Sequence, residues 1–335
     1  MIITCGSYYG TGSSAITDLV REYDDTYCFG DYEIRIFQDI DGVRDLEYYL
    51  VENYNRHNSG HALKRFKKLV DFDSHVWFVK KYEKLFDNQF QKISYEYIDK
   101  LVDYQFKGYW HEDIRDKGNW FYFRKRLANK LACLFVKERD YHINEMPKEI
   151  TYGVNISEEK FLEYTREYSR RLLDVLNKDK KKHVVVDQLV PPNHIDKYIR
   201  YFDDMKVVVV ERDPRDMYLL EKCRWKGTVV PHDVETFCKW WQATRAHRLT
   251  ENLNTKYSMF VQFEDLIYHY DETVARVEKF LGFTSEMHIA AKTHLDPSIS
   301  IRNTKLYEMD EYKKGNEENI KYIEEHLAEY LYTNY

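Results

Sequence analysis

Two short stretches of this chain carry residue types that handle phosphate. Residues 5–14 read CGSYYGTGSS and follow the apolar run Ile2 to Cys5. Gly6, Gly10 and Gly12 then give way to Ser13 and Ser14 and to Ile16, Leu19 and Val20 at helical spacing, which predicts a strand, a glycine-rich turn and a helix N-terminus. Glycines allow positive φ and a close backbone approach, and the helix end adds partial positive charge. Such a turn cradles an anion with the amides of Tyr9, Gly10, Thr11, Gly12, Ser13 and Ser14 and with the two serine hydroxyls. The competing reading is an ordinary tight turn. An ATP-type loop needs a lysine before its hydroxyl residue, and Gly12 is followed directly by Ser13, which disfavours an ordinary ATPase or kinase.

The second stretch, ERDPRD at residues 211–216, follows the run Lys206 to Val210, whose β-branched residues predict a strand buried on both faces of a parallel sheet. Asp213 is a good N-cap and Pro214 a good first helical residue. Arg212 therefore stands at the carboxyl end of a strand, where α/β sheets bind ligands, and its fork suits phosphate oxygens. The plainer alternative pairs Arg212 with Asp216 on the surface.

In order and spacing these segments resemble the sulfotransferases that use 3′-phosphoadenosine 5′-phosphosulfate (PAPS) and release the bisphosphate PAP. Thr11-Gly12-Ser13-Ser14 is similar to that family's 5′-phosphosulfate loop, and Arg212 to Asp216 to its 3′-phosphate loop. Phe260 to Leu266 resembles a late strand of the family, and Ser300 to Thr304, with Arg302, the segment that closes over the nucleotide. The resemblance lies at both ends of the chain, covers the middle poorly, and is closest to bacterial polysaccharide-modifying members. It implies a P-loop NTPase-like parallel sheet flanked by helices, sulfuryl transfer from PAPS to a hydroxyl or amine, and a small-molecule or glycan acceptor.

The departures are equally specific. Many family members carry a Lys or Arg where this chain has Gly10, so another group must supply that charge; Lys64, Arg65, Arg124, Lys125 and Arg126 are candidates, each competing with a solvated helix face. The hydroxyl residue usual two turns after the arginine is replaced by Leu219 and Leu220, with Tyr218 as a substitute. For the general base, Asp187 at the end of the run Val184 to Val186 is favoured, and His61 and Asp39, with Asp41 beside it, are alternatives. Each has a structural reading: Asp187 as a cap, His61 as a surface residue, Asp41-Gly42 as a turn. Neither the reaction nor the sequence asks for a metal.

The elements that must position these groups are strands at residues 2–5, 33–38, 183–187, 206–211 and 259–263, each followed by a helical pattern. Residues 43–182 read as a mostly helical insertion within one domain of residues 1–335, forming part of the acceptor side. Aromatic and apolar residues recur in it at helical spacing, as in Leu46, Tyr49, Leu50 and Tyr54, then Trp77, Val79, Tyr82, Leu85 and Phe86; core packing is the stronger reading over an acceptor cleft. The 335 residues carry 51 basic and 57 acidic side chains, and this net charge of −6 argues against a nucleic-acid partner. Five cysteines without metal spacing suit a reducing cytoplasm, and no apolar run is long enough to span a bilayer. Two rival functions remain: a nucleotide-dependent phosphotransferase, and a nucleotide-binding protein with a degraded site. Oligomeric state and acceptor identity are not encoded in any motif.

Overall fold

Val207 to Val210 are fully buried, as a strand covered on both faces requires. They lie in a sheet of the first of two units in a computed structural model that describes residues 1–75, 81–138, 141–248 and 250–335. The strands among these residues are β1 (Ile2–Ser7), β2 (Thr26–Glu33), β3 (Tyr104–Lys107), β4 (Ile150–Gly153), β5 (His183–Asp187), β6 (Met205–Glu211) and β7 (Ser258–Gln262). The helices that matter below are α1 (Ser13–Arg21), α2 (Asn58–Ser74), α3 (Phe90–Leu101), α4 (Gly118–Ala132), α5 (Glu158–Leu176), α6 (Pro214–Leu219), α7 (Val234–Thr244) and α8 (Tyr270–Leu281).

The first unit comprises Met1–Arg35 and Asn177–Tyr335. Its five strands run parallel in the order β2-β5-β1-β6-β7. The chain moves from central β1 outward to β2 on one side and later to β6 on the other, so β1 ends at a switch point where such sheets open a crevice. Ile16, Leu19 and Val20 of α1 and Val274, Val277 and Leu281 of α8 pack with Ile3, Val208 and Val210 in one core. Asp213 caps α6 by accepting from the Arg215 amide, and Pro214 follows it at the first helical position, as the local rules predict.

One strand is displaced from its expected place. The sequence pattern put it at residues 33–38, whereas β2 is Thr26–Glu33 and pairs with β5 through Thr26, Tyr27 and Cys28 before a register shift to Glu33. Gly30, at φ +81°, sits in that irregular stretch and interrupts the periodicity a strand would show. Ile34, Ile36 and Phe37 supply the alternation that imitates a strand; they are buried, Ile34 just past the end of β2 and Ile36 and Phe37 in a turn.

The second unit is Ile36–Leu176. It holds α2 to α5 and the antiparallel pair β3-β4. Its core is aromatic: Tyr97 and Tyr168 stack at 4.5 Å, Phe66 packs edge-on to both, and Tyr82, Phe86 and Phe90 form a second cluster. The Tyr97 hydroxyl meets Thr165 Oγ1 at 2.7 Å and that of Tyr168 meets Ser94 Oγ at 2.8 Å, so burial leaves neither unsatisfied. Leu46, Leu50, Tyr82 and Phe86 of the helical stripes are buried here, while Trp77 and Val79 lie outside the described residues. No helix among the described residues is long and apolar enough to cross a membrane.

Candidate active site

The turn after β1 is built on three residues in the left-handed region. Tyr9, Gly10 and Gly12 have φ of +80°, +64° and +94°, and Gly12 begins α1 without a side-chain cap, so the helix presents its first amides uncapped by any side chain. Gly10 disfavours the missing lysine: its φ of +64° strains any L residue, and a Cβ there would lie 2.6 Å from the end of the Met217 side chain and 2.9 Å from the Trp225 ring, both of which would have to shift. A Cβ on Gly12 would come within 2.7 Å of the Phe263 ring. The Thr11 hydroxyl turns inward and donates to the Val210 carbonyl at 2.7 Å, which ties this turn to the end of β6. Tyr8, buried, donates to Asn193 Oδ1 at 3.1 Å.

Asp187 ends β5 beside this turn. Its Oδ2 accepts from Ser13 Oγ at 3.3 Å and its Oδ1 from the Gln188 amide at 3.0 Å, while Gln188 Nε2 donates to Ser7 Oγ. Ser14 is exposed. Ser7, Gly10, Ser13 and Gln188 form one wall of a 530 Å³ pocket; Glu33, Arg35 and Trp225 form another. Glu33 and Arg35 pair at 3.5 Å and are each 47% exposed. The sequence reading missed both. The rule that ligands sit at the carboxyl ends of parallel strands would have found Glu33 had β2 been placed correctly.

The second turn is mostly buried. Arg212 is 4% exposed and its guanidinium lies 4.8 Å from the centre of the Phe263 ring. Nη2 donates to the Asn303 carbonyl, whereas Nε has no hydrogen-bond partner. The surface pairing with Asp216 is thereby replaced by a buried cation. Asp216 instead accepts from the amides of Lys305 at 2.9 Å and Leu306 at 2.7 Å, and Asp213 accepts a fork from Arg215 and the amide of Tyr332 at 3.0 Å. These carboxylates hold the C-terminal segment against the turn. Arg302 lies in that segment and is exposed. Tyr218 does not stand in for the absent hydroxyl residue: its hydroxyl donates to the His232 carbonyl at 2.8 Å and accepts from Lys222 at 3.0 Å.

The electrostatics around Arg212 favour an incoming anion. Burial pushes Glu264 up to about 8 and Asp216 up to about 7, so near neutrality neither fully neutralises the arginine. Burial also draws the Arg212 pKa down, against the pull of Asp216 and Glu264. One step along the chain, Glu211 is fully buried and is forked by Arg245 at 2.9 and 3.0 Å and met by Arg248 at 2.9 Å. Arg245 in turn lies 3.5 Å from the Trp241 ring centre and 4.6 Å from that of Tyr8, so this network braces the first turn.

The other base candidates belong to the second unit. His61 is buried on α2, 3.4 Å from both Asp113 and Asp116, with no hydrogen bond at either ring nitrogen, so the surface alternative does not hold. Asp39 is half-buried, and Asp41 is forked by Arg65 at 2.6 and 2.8 Å. Lys64 binds Asp113 and Glu149 at 2.8 and 2.9 Å. His61, Asp41 and Arg65 border a pocket of 210 Å³. The fold also brings together His194, His247 and Glu251, which no spacing announced; His194 Nδ1 lies 3.0 Å from Glu251 Oε1.

A profile described as "Sulfotransferase family" matches residues 110–286, more than half of the chain. The matched span contains β5, β6 and β7 with the Arg212 turn, but not residues 5–14, so it covers the middle that the motif resemblance left open. No curated protein sequence matches the chain. Among solved structures, the sulfotransferase domain of the Synechococcus PCC 7002 olefin synthase aligns with 12% identity and a TM-score of 0.39 over 91% of this chain and 86% of that one. Sulfotransferase STF1 from Mycobacterium tuberculosis H37Rv aligns with 15% identity and a TM-score of 0.34 over 91% and 76%. Retinol dehydratase in complex with androsterone and inactive cofactor PAP aligns with 15% identity and a TM-score of 0.36 over 100% and 82%.

Proposed function

The chain belongs to the sulfotransferase family, and from that premise we propose that it transfers a sulfuryl group from PAPS to a hydroxyl or amine, with carbohydrate as the acceptor class. The observation that carries the choice of donor is Arg212. A buried guanidinium with an orphaned Nε beside carboxyls of raised pKa is suited to a 3′-phosphate that completes its hydrogen bonding.

The residues of the first turn fit the other end of that nucleotide. Uncapped amides at Gly12 to Ser14 and the exposed Ser14 hydroxyl would hold the 5′-phosphosulfate, which supplies the sulfuryl group and a phosphate leaving group when bound. Asp187 keeps Ser13 oriented, since both of its oxygens are already committed. Glu33, at the pocket rim, takes the acceptor proton, and Arg35 supplies the positive charge that Gly10 cannot. Carbohydrate is chosen as the acceptor class because the second unit has a pocket of its own whose Asp41, Tyr49, His57, His61 and Arg65 offer groups that hydrogen-bond a polyol. Five free cysteines are in keeping with a cytoplasmic enzyme.

Thermal melting with nucleotides tests the donor. Adenosine 3′,5′-bisphosphate should raise the melting temperature well above the shift given by ATP with magnesium; equal shifts, or none, would remove PAPS as the donor.

A further inference from the structure

Helix α4 buries none of its 15 residues. Its half-covered side chains are Phe121, Lys125, Asn129 and Ala132, which recur every three or four residues and mark the one face that meets the protein. Asn129 Oδ1 accepts there from the Ile143 amide at 2.9 Å, and Lys125 Nζ lies 5.6 Å from the Phe121 ring centre. The apolar stripe is on the other side. Trp120, Phe123, Leu127 and Leu131 are 69, 56, 47 and 51% exposed, and Leu134 and Phe135 continue beyond the helix at 76 and 87%. A helix of a globular protein turns such a stripe inward; α4 turns it to solvent.

Charge decides what covers it. Arg124 and Lys130 flank the stripe at about 60° on either side at the helical 100° per residue. Residues 117–138 hold six basic side chains (Lys117, Arg124, Lys125, Arg126, Lys130, Lys137) and one acidic (Glu138), a net +5 within a chain of net −6. Two copies joined stripe to stripe would bring these like charges together. An anionic bilayer meets both features: its boundary takes Trp, Phe and Leu, and its headgroups attract the flanking Arg and Lys.

We propose that α4 docks the protein on an anionic lipid surface. The full chain is tested by cosedimentation with vesicles of phosphatidylcholine alone and of phosphatidylcholine with roughly a third phosphatidylglycerol, at low salt and at about 0.5 M salt. Partitioning should be more than about tenfold stronger on the anionic vesicles and should collapse at high salt. It should be lost in Trp120→Ser/Phe123→Ser/Leu127→Ser and in Arg124→Glu/Lys130→Glu, both of which alter exposed positions and should melt as the parent does. Absent binding, equal binding to both vesicles, or binding that survives either variant overturns the proposal. So does a parent dimer that the triple variant converts to a monomer with no vesicle binding in either, which would assign the stripe to a second copy of the chain.

Discussion

Arg212 stacks on Phe263, with its guanidinium 4.8 Å from the ring centre, and the same ring fills the space a side chain on Gly12 would need. The turns that follow β1 and β6 therefore share one aromatic floor. Their spacing is fixed by packing and by the Thr11 to Val210 hydrogen bond, before any ligand is considered.

The first prediction concerns that arginine. Arg212→Ala should weaken adenosine 3′,5′-bisphosphate by roughly ten- to a hundredfold, the range of one charge-assisted contact, and leave adenosine 5′-phosphate unchanged. Arg212→Lys should recover only part, because a point charge cannot fork. Calorimetric titration of both nucleotides separates these outcomes; equal losses for both would mean that the turn is merely structural.

Restoring the family's cation in the first turn should fail. Gly10→Lys meets Met217 and Trp225 and holds an L residue at φ +64°, so a loss of about 1–3 kcal/mol in stability is expected and no gain in turnover. Denaturant melts and a transfer assay read the two effects separately.

Glu33 and Arg35 should divide the chemistry. Glu33→Gln should lower kcat by about a hundredfold while nucleotide affinity is kept. Arg35→Met should lower kcat by roughly ten- to a hundredfold while nucleotide affinity stays within about threefold. If instead Asp187→Asn carries that loss of kcat and Glu33→Gln does not, the base is Asp187.

A pH dependence follows from Glu264. Its folded pKa, pushed up to about 8 by burial, exceeds the ordinary value of about 4.3, so the folded state binds the proton more tightly than the unfolded chain. The stability this contributes is complete below about pH 4 and is lost as pH rises through 8. Asp216, raised to about 7, adds a loss of the same sign. Glu264→Gln keeps an acceptor for the Asp213 amide, received at 2.9 Å, but carries no charge. Its melting temperature should therefore fall less between about pH 4 and pH 8, the window from ordinary carboxylate values to the raised ones, than that of the parent.

The two turns were legible because local rules write them: glycines where φ is positive, Asp213 and Pro214 where a helix begins, and a valine run where a strand is covered twice. Sulfotransferase membership was legible from their order along the chain. The pocket wall of Glu33 and Arg35 was not, because Gly30 and the register shift break the periodicity of β2 and the neighbouring Ile34 and Ile36 imitate it. Nor was the fork of Arg245 on Glu211, whose partners lie 34 residues apart, or the burial of His61 beside Asp113 and Asp116. Spacing within one element cannot show what a fold brings from another.

The strand order has a consequence for synthesis. β1 is the central strand, yet its neighbours begin pairing at Val184 and Met205, so it leaves the ribosome about 180 residues ahead of the first and about 200 ahead of the second. At about 5–20 residues per second that is a wait of roughly 10 to 40 s for an apolar strand without an edge to join. Until β6 arrives, the turn after β1 lacks the Val210 carbonyl to which Thr11 ties it. Shielding Ile2 to Cys5 during that interval, by a chaperone or by transient packing against α1, is a condition for the enzyme to form at all.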